Sequence, residues 1–488
     1  MSNTPRQVSA THSPTSMRSI LVPLTAIIVG MFMVVLDNSA LNVMVPHFIT
    51  DFKTSYSTVQ WAITGYALAQ AAVIPLSGWL ADRFGAKRVF LTSIALFSLG
   101  SLLCAFAPGI KLLVVFRIVQ GLGGGMVAPL GFAFTFRLSP PEKVGTVMSF
   151  MSIPILVAPA LGPVVSGWLV DYVSWHWIFL INVPIGIIGV LIGSKSLPKL
   201  PAQAVAPLDR VGMILAPLGF ASLSYGVTEG SSSWTSWQTI GGLVVGIVAL
   251  LLFVFTQLRQ ANPLMEIRAF KSAKFTRGII VLWITQFAFF GTIFLIPQYL
   301  QNVRGFSAFH AGLCMLPYAI TTAILNQVSG RLFDRYGARW LAVIGVGCLT
   351  AASFLFSQVQ PHATLSHILI PVVLLGASLG LCIMPLNSHV LKAAPQHLIG
   401  RVTSLTSAMQ QIMVSFSVSG LTTVLTSKMH AATKMQHASQ ASIWSIAFNH
   451  TFLIVAAIAL AGFIFSFMIG GRPQSEGKRT EEFGLMME

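Results

Sequence analysis

Two ionisable residues stand where hydrocarbon is expected. Asp37 lies in an apolar stretch running from about residue 20 to Pro46, roughly 14 Å from its end at helical rise. Arg117 lies six residues inside another such stretch, 111–136. An ionisable side chain at that depth costs about 2.5–3.5 kcal/mol on insertion scales and marks a functional position. Removal from water favours the protonated form of a carboxylate, so Asp37 is expected to load and unload a proton or another cation. The plainer alternative is a helix–helix hydrogen bond. Arg117 does not readily lose its proton and acts through its field, on a partner carboxylate or on backbone carbonyls. Its plainer alternative is snorkelling to the interface. The two depths differ by several ångströms, so a direct pair requires the arginine to snorkel or a helix to move.

The elements that position these residues are membrane helices. Of 488 residues, 55% are hydrophobic and 9% charged, with mean hydropathy +0.78; soluble domains carry roughly 25% charged residues. Fourteen stretches meet the length of about 20 apolar residues that a spanning helix needs: 20–46, 57–80, 88–107, 111–136, 145–169, 175–194, 211–228, 238–258, 276–302, 309–332, 340–358, 366–391, 400–427 and 447–470. With the N-terminus cytoplasmic, 23 of the 29 basic residues fall on the inner side and five on the outer, as the positive-inside rule demands. The net charge of +16 is therefore an orientation signal for a multi-pass protein of the cytoplasmic (inner) membrane. No loop carries a basic patch interleaved with aromatics, and no nucleic-acid partner is expected. The apolar stretch after the polar N-terminal segment runs on past Asp37 and reads as a signal anchor. Cys104, Cys314, Cys348 and Cys382 fall in helices without CxxC spacing and read as buried small hydrophobes.

One pattern occurs twice, Gly78-Trp79-Leu80-Ala81-Asp82-Arg83-Phe84-Gly85-Ala86-Lys87 and Gly330-Arg331-Leu332-Phe333-Asp334-Arg335-Tyr336-Gly337-Ala338-Arg339. The copies close the second and tenth stretches. Two six-helix halves, 20–194 and 276–470, thus flank a linker with an inserted helix pair, 195–275, between cytoplasmic tails 1–19 and 471–488. Paired halves are the mark of transporters that rock around a midplane site. In each copy the first glycine is expected to let helices approach and the second to supply a tight turn. The aspartate is expected to pair with an arginine or a helix N-terminus as a conformational latch.

Gly78 to Lys87 resembles motif A of the major facilitator superfamily. Leu36-Asp37-Asn38-Ser39-Ala40-Leu41-Asn42-Val43-Met44-Val45-Pro46 resembles the first-helix motif of its fourteen-helix drug:proton antiporter branch. Arg117-Ile118-Val119-Gln120-Gly121-Leu122-Gly123-Gly124 resembles motif B, and Ala158-Pro159-Ala160-Leu161-Gly162-Pro163-Val164-Val165-Ser166-Gly167 the antiporter motif C. Trp175-His176-Trp177-Ile178-Phe179-Leu180-Ile181-Asn182-Val183-Pro184 and Gln298-Tyr299-Leu300-Gln301 are also similar to that branch. His176 and Ser166 depart from it, where the family usually has Arg and often has Gly. The resemblance implies an all-α integral membrane fold, a proton-coupling role for Arg117, and a hinge and seal at Gly162, Pro163 and Gly167.

Candidate cavity residues are Asn38 and Asn42, an i,i+4 pair beside Asp37, with Trp61, Tyr66, Gln70, Gln120, Trp283, Gln286, Phe287, Phe290 and Gln298. Aromatics with one carboxylate suit lipophilic cations. Met429, His430, Met435 and His437 lack chelate spacing and are read as an ordinary loop. Gly121-Leu122-Gly123 and Gly477-Lys478 lack the spacing of nucleotide loops. The expectation is a non-enzymatic, proton-driven exporter with no metal, cofactor or nucleotide, its partners being protons, a small lipophilic substrate and the bilayer. Any envelope-spanning partner protein is unspecified. Two rivals stay open: an exporter dedicated to one metabolite or siderophore, and a membrane sensor.

Overall fold

The computed structural model describes residues 17–138, 144–198, 208–230, 233–260, 263–393, 399–433 and 440–469. All regular structure among them is helical, which satisfies backbone groups within each segment where water is absent. The chain runs through α1 (Met17–Ala40), a 3-10 turn (Leu41–Val43), α2 (Val45–Asp51), α3 (Tyr56–Val59), α4 (Trp61–Val73), α5 (Leu76–Phe84), α6 (Ala86–Ala105), α7 (Ile110–Leu138), α8 (Val144–Tyr172), α9 (His176–Leu180) and α10 (Asn182–Ser196). Then come α11 (Arg210–Glu229), α12 (Trp237–Arg259), a 3-10 turn (Ile267–Lys271), α13 (Ala273–Asn302), α14 (Ala308–Leu313), α15 (Leu316–Tyr336), α16 (Ala338–Ser357), α17 (Ser366–Lys392), α18 (Ile399–Thr433) and α19 (Gln440–Ser466).

Among the described residues, twelve helices are long and apolar enough to cross a membrane, against fourteen stretches in the sequence. The stretch 57–80 is divided: Tyr56–Val73 and Leu76–Phe84 meet at 53°. Pro75 lies at the break and has no N–H to continue the ladder. The stretch 145–169 falls in the 29-residue helix α8, part of whose side chains lie outside the described residues. Both stretches of the inserted pair are full-length apolar helices, α11 and α12.

Helices α1–α10 pack as one bundle and α13–α19 as a second. Where the bundles meet, small residues replace side-chain layers. A Cβ on Gly167 would strike the backbone of Ala308, and one on Gly312 the backbone of Pro163. Between the bundles, α8 meets α14 and α15 and α4 meets α18; the α8–α14 contact lies at the end where α1 finishes, here the far end. Asp171 accepts hydrogen bonds from the N–H groups of Phe309 (2.8 Å) and Ala308 (3.3 Å), capping the start of α14. Gln301 Nε2 donates to Val43 O at 2.8 Å.

The inserted helix α11 lies at the seam, against both α4 and α18. Ser224 and Thr228, one turn apart, meet Ser415 (3.1 Å) and Ser419 (2.7 Å) of α18. Gln60 Nε2 of the first bundle also donates to Thr228 Oγ1, at 2.8 Å. α12 packs on α11 and otherwise exposes Val244, Val248, Leu251 and Phe255.

Candidate functional site

The glycine run of α7 sets the geometry. A Cβ on Gly121 would meet Tyr66 O, one on Gly123 the backbone of Phe97, and one on Gly125 that of Gln70. Bare glycines here draw α7 against α4 and α6; on the other side of the contact, Gly100 of α6 makes room for Gln120. Arg117 and Gln120, one turn apart on α7, are thereby brought to the last turn of α1, which carries Asp37.

The result is a closed polar network. Asp37 and Arg117 are each 1% exposed. Arg117 Nη1 lies 2.6 Å from Asp37 Oδ2, forming an ion pair, and 2.6 Å from Gln120 Oε1. Its Nε donates to Ala62 O at 3.2 Å, and the guanidinium stands 3.8 Å over the Tyr66 ring, a cation–π contact. Asp37 Oδ1 accepts from Gln120 Nε2 and Asn182 Nδ2, both at 3.0 Å. Asn182 Nδ2 also reaches Ser101 Oγ at 3.0 Å, and Ser101 donates to Phe179 O at 2.8 Å. Desolvating two charges costs several kcal/mol each, so such a pair persists only when its remaining hydrogen-bonding positions are filled.

The arginine's reach thus closes the depth difference expected from sequence. Two members of the network, Asn182 and Ser101, were not singled out in the sequence. Asn182 lay within the quoted stretch Trp175 to Pro184, and a lone amide in a spanning helix was the available signal. The Ala62 and Phe179 carbonyls carry no sequence signal.

The other candidate cavity residues lie on α1, α4 and α13 and in the 3-10 turn after α1. Asn38 and Asn42 are half-buried; α1 ends at Ala40 and Asn42 falls in the 3-10 turn that continues it. Trp61 turns to Tyr225 of α11, ring centroids 6.5 Å apart. Tyr66 is committed to Arg117. Gln70, Trp283, Gln286 and Gln298 each bury a polar side-chain atom without a partner among the described residues. Phe287 O accepts from Ser417 Oγ at 2.8 Å, and Phe290 packs on Phe289. Gln298 folds back onto its own helix, Nε2 to Phe294 O at 2.8 Å.

In the repeated loops, Gly85 and Gly337 have φ of +88° and +76°, the left-handed turn expected of them. The first glycines differ from expectation: a Cβ on Gly78 or Gly330 would meet nothing within 4 Å. Among the described residues, the space beside these two glycines is open. Lys87 Nζ donates to Leu197 O at 2.6 Å, Arg83 is exposed, and Arg335 lies over the Tyr336 ring at 5.3 Å. Asp82 is half-buried; the Asp334 side chain lies outside the described residues. In motif C, a Cβ on Gly162 would collide with Ser39 Oγ, while α8 stays helical from Val144 to Tyr172 through Pro163.

The four cysteines are free, three of them buried. Among the described residues no three His, Cys, Asp or Glu side chains converge on a metal-sized space; Met435, His437 and the Gly477-Lys478 segment lie outside the described residues. At the far end, just past α1, burial pushes the His47 imidazole below its ordinary value of 6.5, against the opposing pull of Asp171 and Asp51.

The family description Major Facilitator Superfamily matches residues 27–418. The chain is 34% identical over 423 residues to the multidrug export protein EmrB of Haemophilus influenzae, covering 86% of this chain and 82% of that one. It is 30% identical over 449 residues to the lincomycin resistance protein LmrB of Bacillus subtilis, covering 90% and 93%. Among solved structures it resembles the POT family transporter PepTSo, with TM-score 0.66 and 14% identity over 92% of this chain and 99% of that chain.

Proposed function

The chain belongs to the Major Facilitator Superfamily, in its multidrug efflux branch, and from that premise we propose that it exports lipophilic compounds, cations among them, in exchange for protons. It is a membrane transporter and not an enzyme. The observation that carries the coupling is the buried Asp37–Arg117 pair. A carboxylate held there by three side chains is neutralised as a unit by Arg117. Adding a proton to Asp37 leaves Arg117 without its counter-charge, and the bundles then rearrange to recover that energy. The proton gradient is the energy source.

The topology that goes with this reading has fourteen spans: the twelve apolar helices, the bent pair and α8. Both termini are cytoplasmic, as the basic residues favour, in a cytoplasmic membrane. The far end is then the external one, where Gly167, Gly312 and Asp171 join the bundles. The halves 20–194 and 276–470 rock about this seam. Motif C supplies the outer seal, and the Asp82 and Asp334 loops are the cytoplasmic latch that engages when the outer side opens. Gln70, Trp283 and Gln286 offer substrate the polar atoms that no protein group occupies.

The test is efflux of a fluorescent lipophilic cation from proteoliposomes under an imposed pH gradient. Wild-type protein is expected to drive uphill movement, and Asp37→Asn to allow only downhill exchange. Uphill movement by a properly inserted Asp37→Asn protein would end the coupling claim.

A further inference from the structure

The two oxygens of Asp37 are held differently. Oδ2 faces the permanently charged Arg117. Oδ1 faces two amides, Gln120 and Asn182, each presenting its NH2 at 3.0 Å. This set fits an ionised carboxylate, because every neighbour is a donor. A carboxylic acid in the same place needs an acceptor for its new hydrogen, and one amide has to turn its oxygen inward.

Only one of the two amides is at liberty to do so. Gln120 Oε1 already accepts from Arg117 Nη1 at 2.6 Å and lies 3.7 Å from Cys104 Sγ. Turning Gln120 breaks its bond to the arginine. Asn182 Oδ1 is buried and has no partner among the described residues. Reversing the Asn182 amide would put its oxygen at the position now held by Nδ2, 3.0 Å from Asp37 Oδ1. That contact repels a carboxylate and hydrogen-bonds a carboxylic acid.

We propose that Asn182 is the positioning residue that reads the protonation state of Asp37, its amide donating to the carboxylate and, after rotation, accepting from the carboxylic acid. The inference rests on Asp37 being the coupling group. The proton comes from water on the open side and adds to Asp37 Oδ1; no other bond is made or broken except hydrogen bonds. Rotation also withdraws the Asn182 NH2 from Ser101 Oγ. The Ser101 hydrogen, now directed at Phe179 O at 2.8 Å, is then free to turn toward the amide oxygen. The protonation of a group on α1 is thereby registered on α6, α9 and α10, three helices that carry no charge of their own in this network.

The experiment is infrared difference spectroscopy between high and low pH on the full-length protein in lipid nanodiscs. A neutral-carboxyl band that appears at low pH and is lost in Asp37→Asn is expected. Alongside it an amide carbonyl band is expected to shift, to move on 13C-asparagine labelling of the unmodified protein, and to vanish in Asn182→Leu while persisting in Gln120→Leu. The labelling arm reads the same event without any substitution. Asn182→Ser keeps a hydroxyl that both donates and accepts, and is expected to retain the uphill transport that Asn182→Leu loses. A carboxyl band without an asparagine shift, or a shift lost in Gln120→Leu instead, overturns the role of Asn182 and leaves the coupling reading standing. Absence of any Asp37 carboxyl band between the two pH values overturns both.

Discussion

Arg117 Nη1 lies 2.6 Å from Asp37 Oδ2, across 80 positions of sequence, with both side chains essentially sealed from solvent. Neither residue is tolerable at that depth alone. Together, with Gln120 and Asn182 completing the shell, they form a neutral unit that a single proton unbalances.

Arg117→Met is therefore expected to destabilise the protein by about 3–5 kcal/mol, because it strands a buried carboxylate. The double variant Asp37→Leu with Arg117→Met is expected to recover most of that loss while remaining inactive in uphill transport. Thermal unfolding in detergent reads both. A double variant no more stable than the single one removes the ion pair as the source of the effect.

Gly167 faces the Ala308 backbone with no room for a side chain. Gly167→Val is expected to hold the far end apart and shift the conformational balance by more than about tenfold, equivalent to about 1.4 kcal/mol. Spin labels at Val173 and His310, both outside the contact, are expected to report a longer distance in the variant. An unchanged distance distribution means that this contact does not gate the far end.

Thr228 is shared between bundles, bonded to Gln60 and to Ser419. Thr228→Val is expected to cost about 1–3 kcal/mol, since it leaves buried partners unsatisfied. With Gln60→Leu already present, the Gln60 amide is gone and part of that penalty disappears, so the two costs are sub-additive. Melting of the four proteins of this cycle decides; strict additivity contradicts the bond.

His47 titrates below its ordinary value because it is half-buried. The fold therefore favours its neutral form, and the unfolded chain takes up the proton first as pH falls. Stability contributed by this residue is full above pH 6.5 and is lost as pH drops through 6.5 toward the folded-state value. Unfolding temperatures measured from pH 7.5 down to 5 are expected to fall less steeply in His47→Gln. Identical slopes would assign the pH dependence to other groups.

Much of the design was legible in residue types. Asp37 stood out because it was the one acidic residue deep in a span, and Arg117 because it was the one such base. The two left-handed glycines, Gly85 and Gly337, followed from a repeated pattern whose chemistry is local. What the sequence hid was partnership. Asn182 looks like any amide until α10 is placed against α1. The contacts of Trp61 with Tyr225 and of Gln298 Nε2 with Phe294 O are equally invisible until the helices are in place. Gly78 and Gly330 have open space beside them among the described residues, which a sequence pattern does not show. The stretch 57–80 reads as one span in the sequence, yet its helix divides at Pro75 with a bend of 53°. Side-chain identity predicts what a group is able to do; only the packing of distant helices determines with whom.

The hydroxyl of Thr228 ties the inserted helix to residues on both sides of the seam, and this constrains how the chain can be recombined. A helix pair spliced between two bundles would be an interchangeable module if it touched lipid alone. Here α11 shares hydrogen bonds with position 60 of one bundle and positions 415 and 419 of the other. Grafting α11 and α12 from a relative would leave three outside positions mismatched unless they travel with the graft. The insertion is inherited as part of the seam.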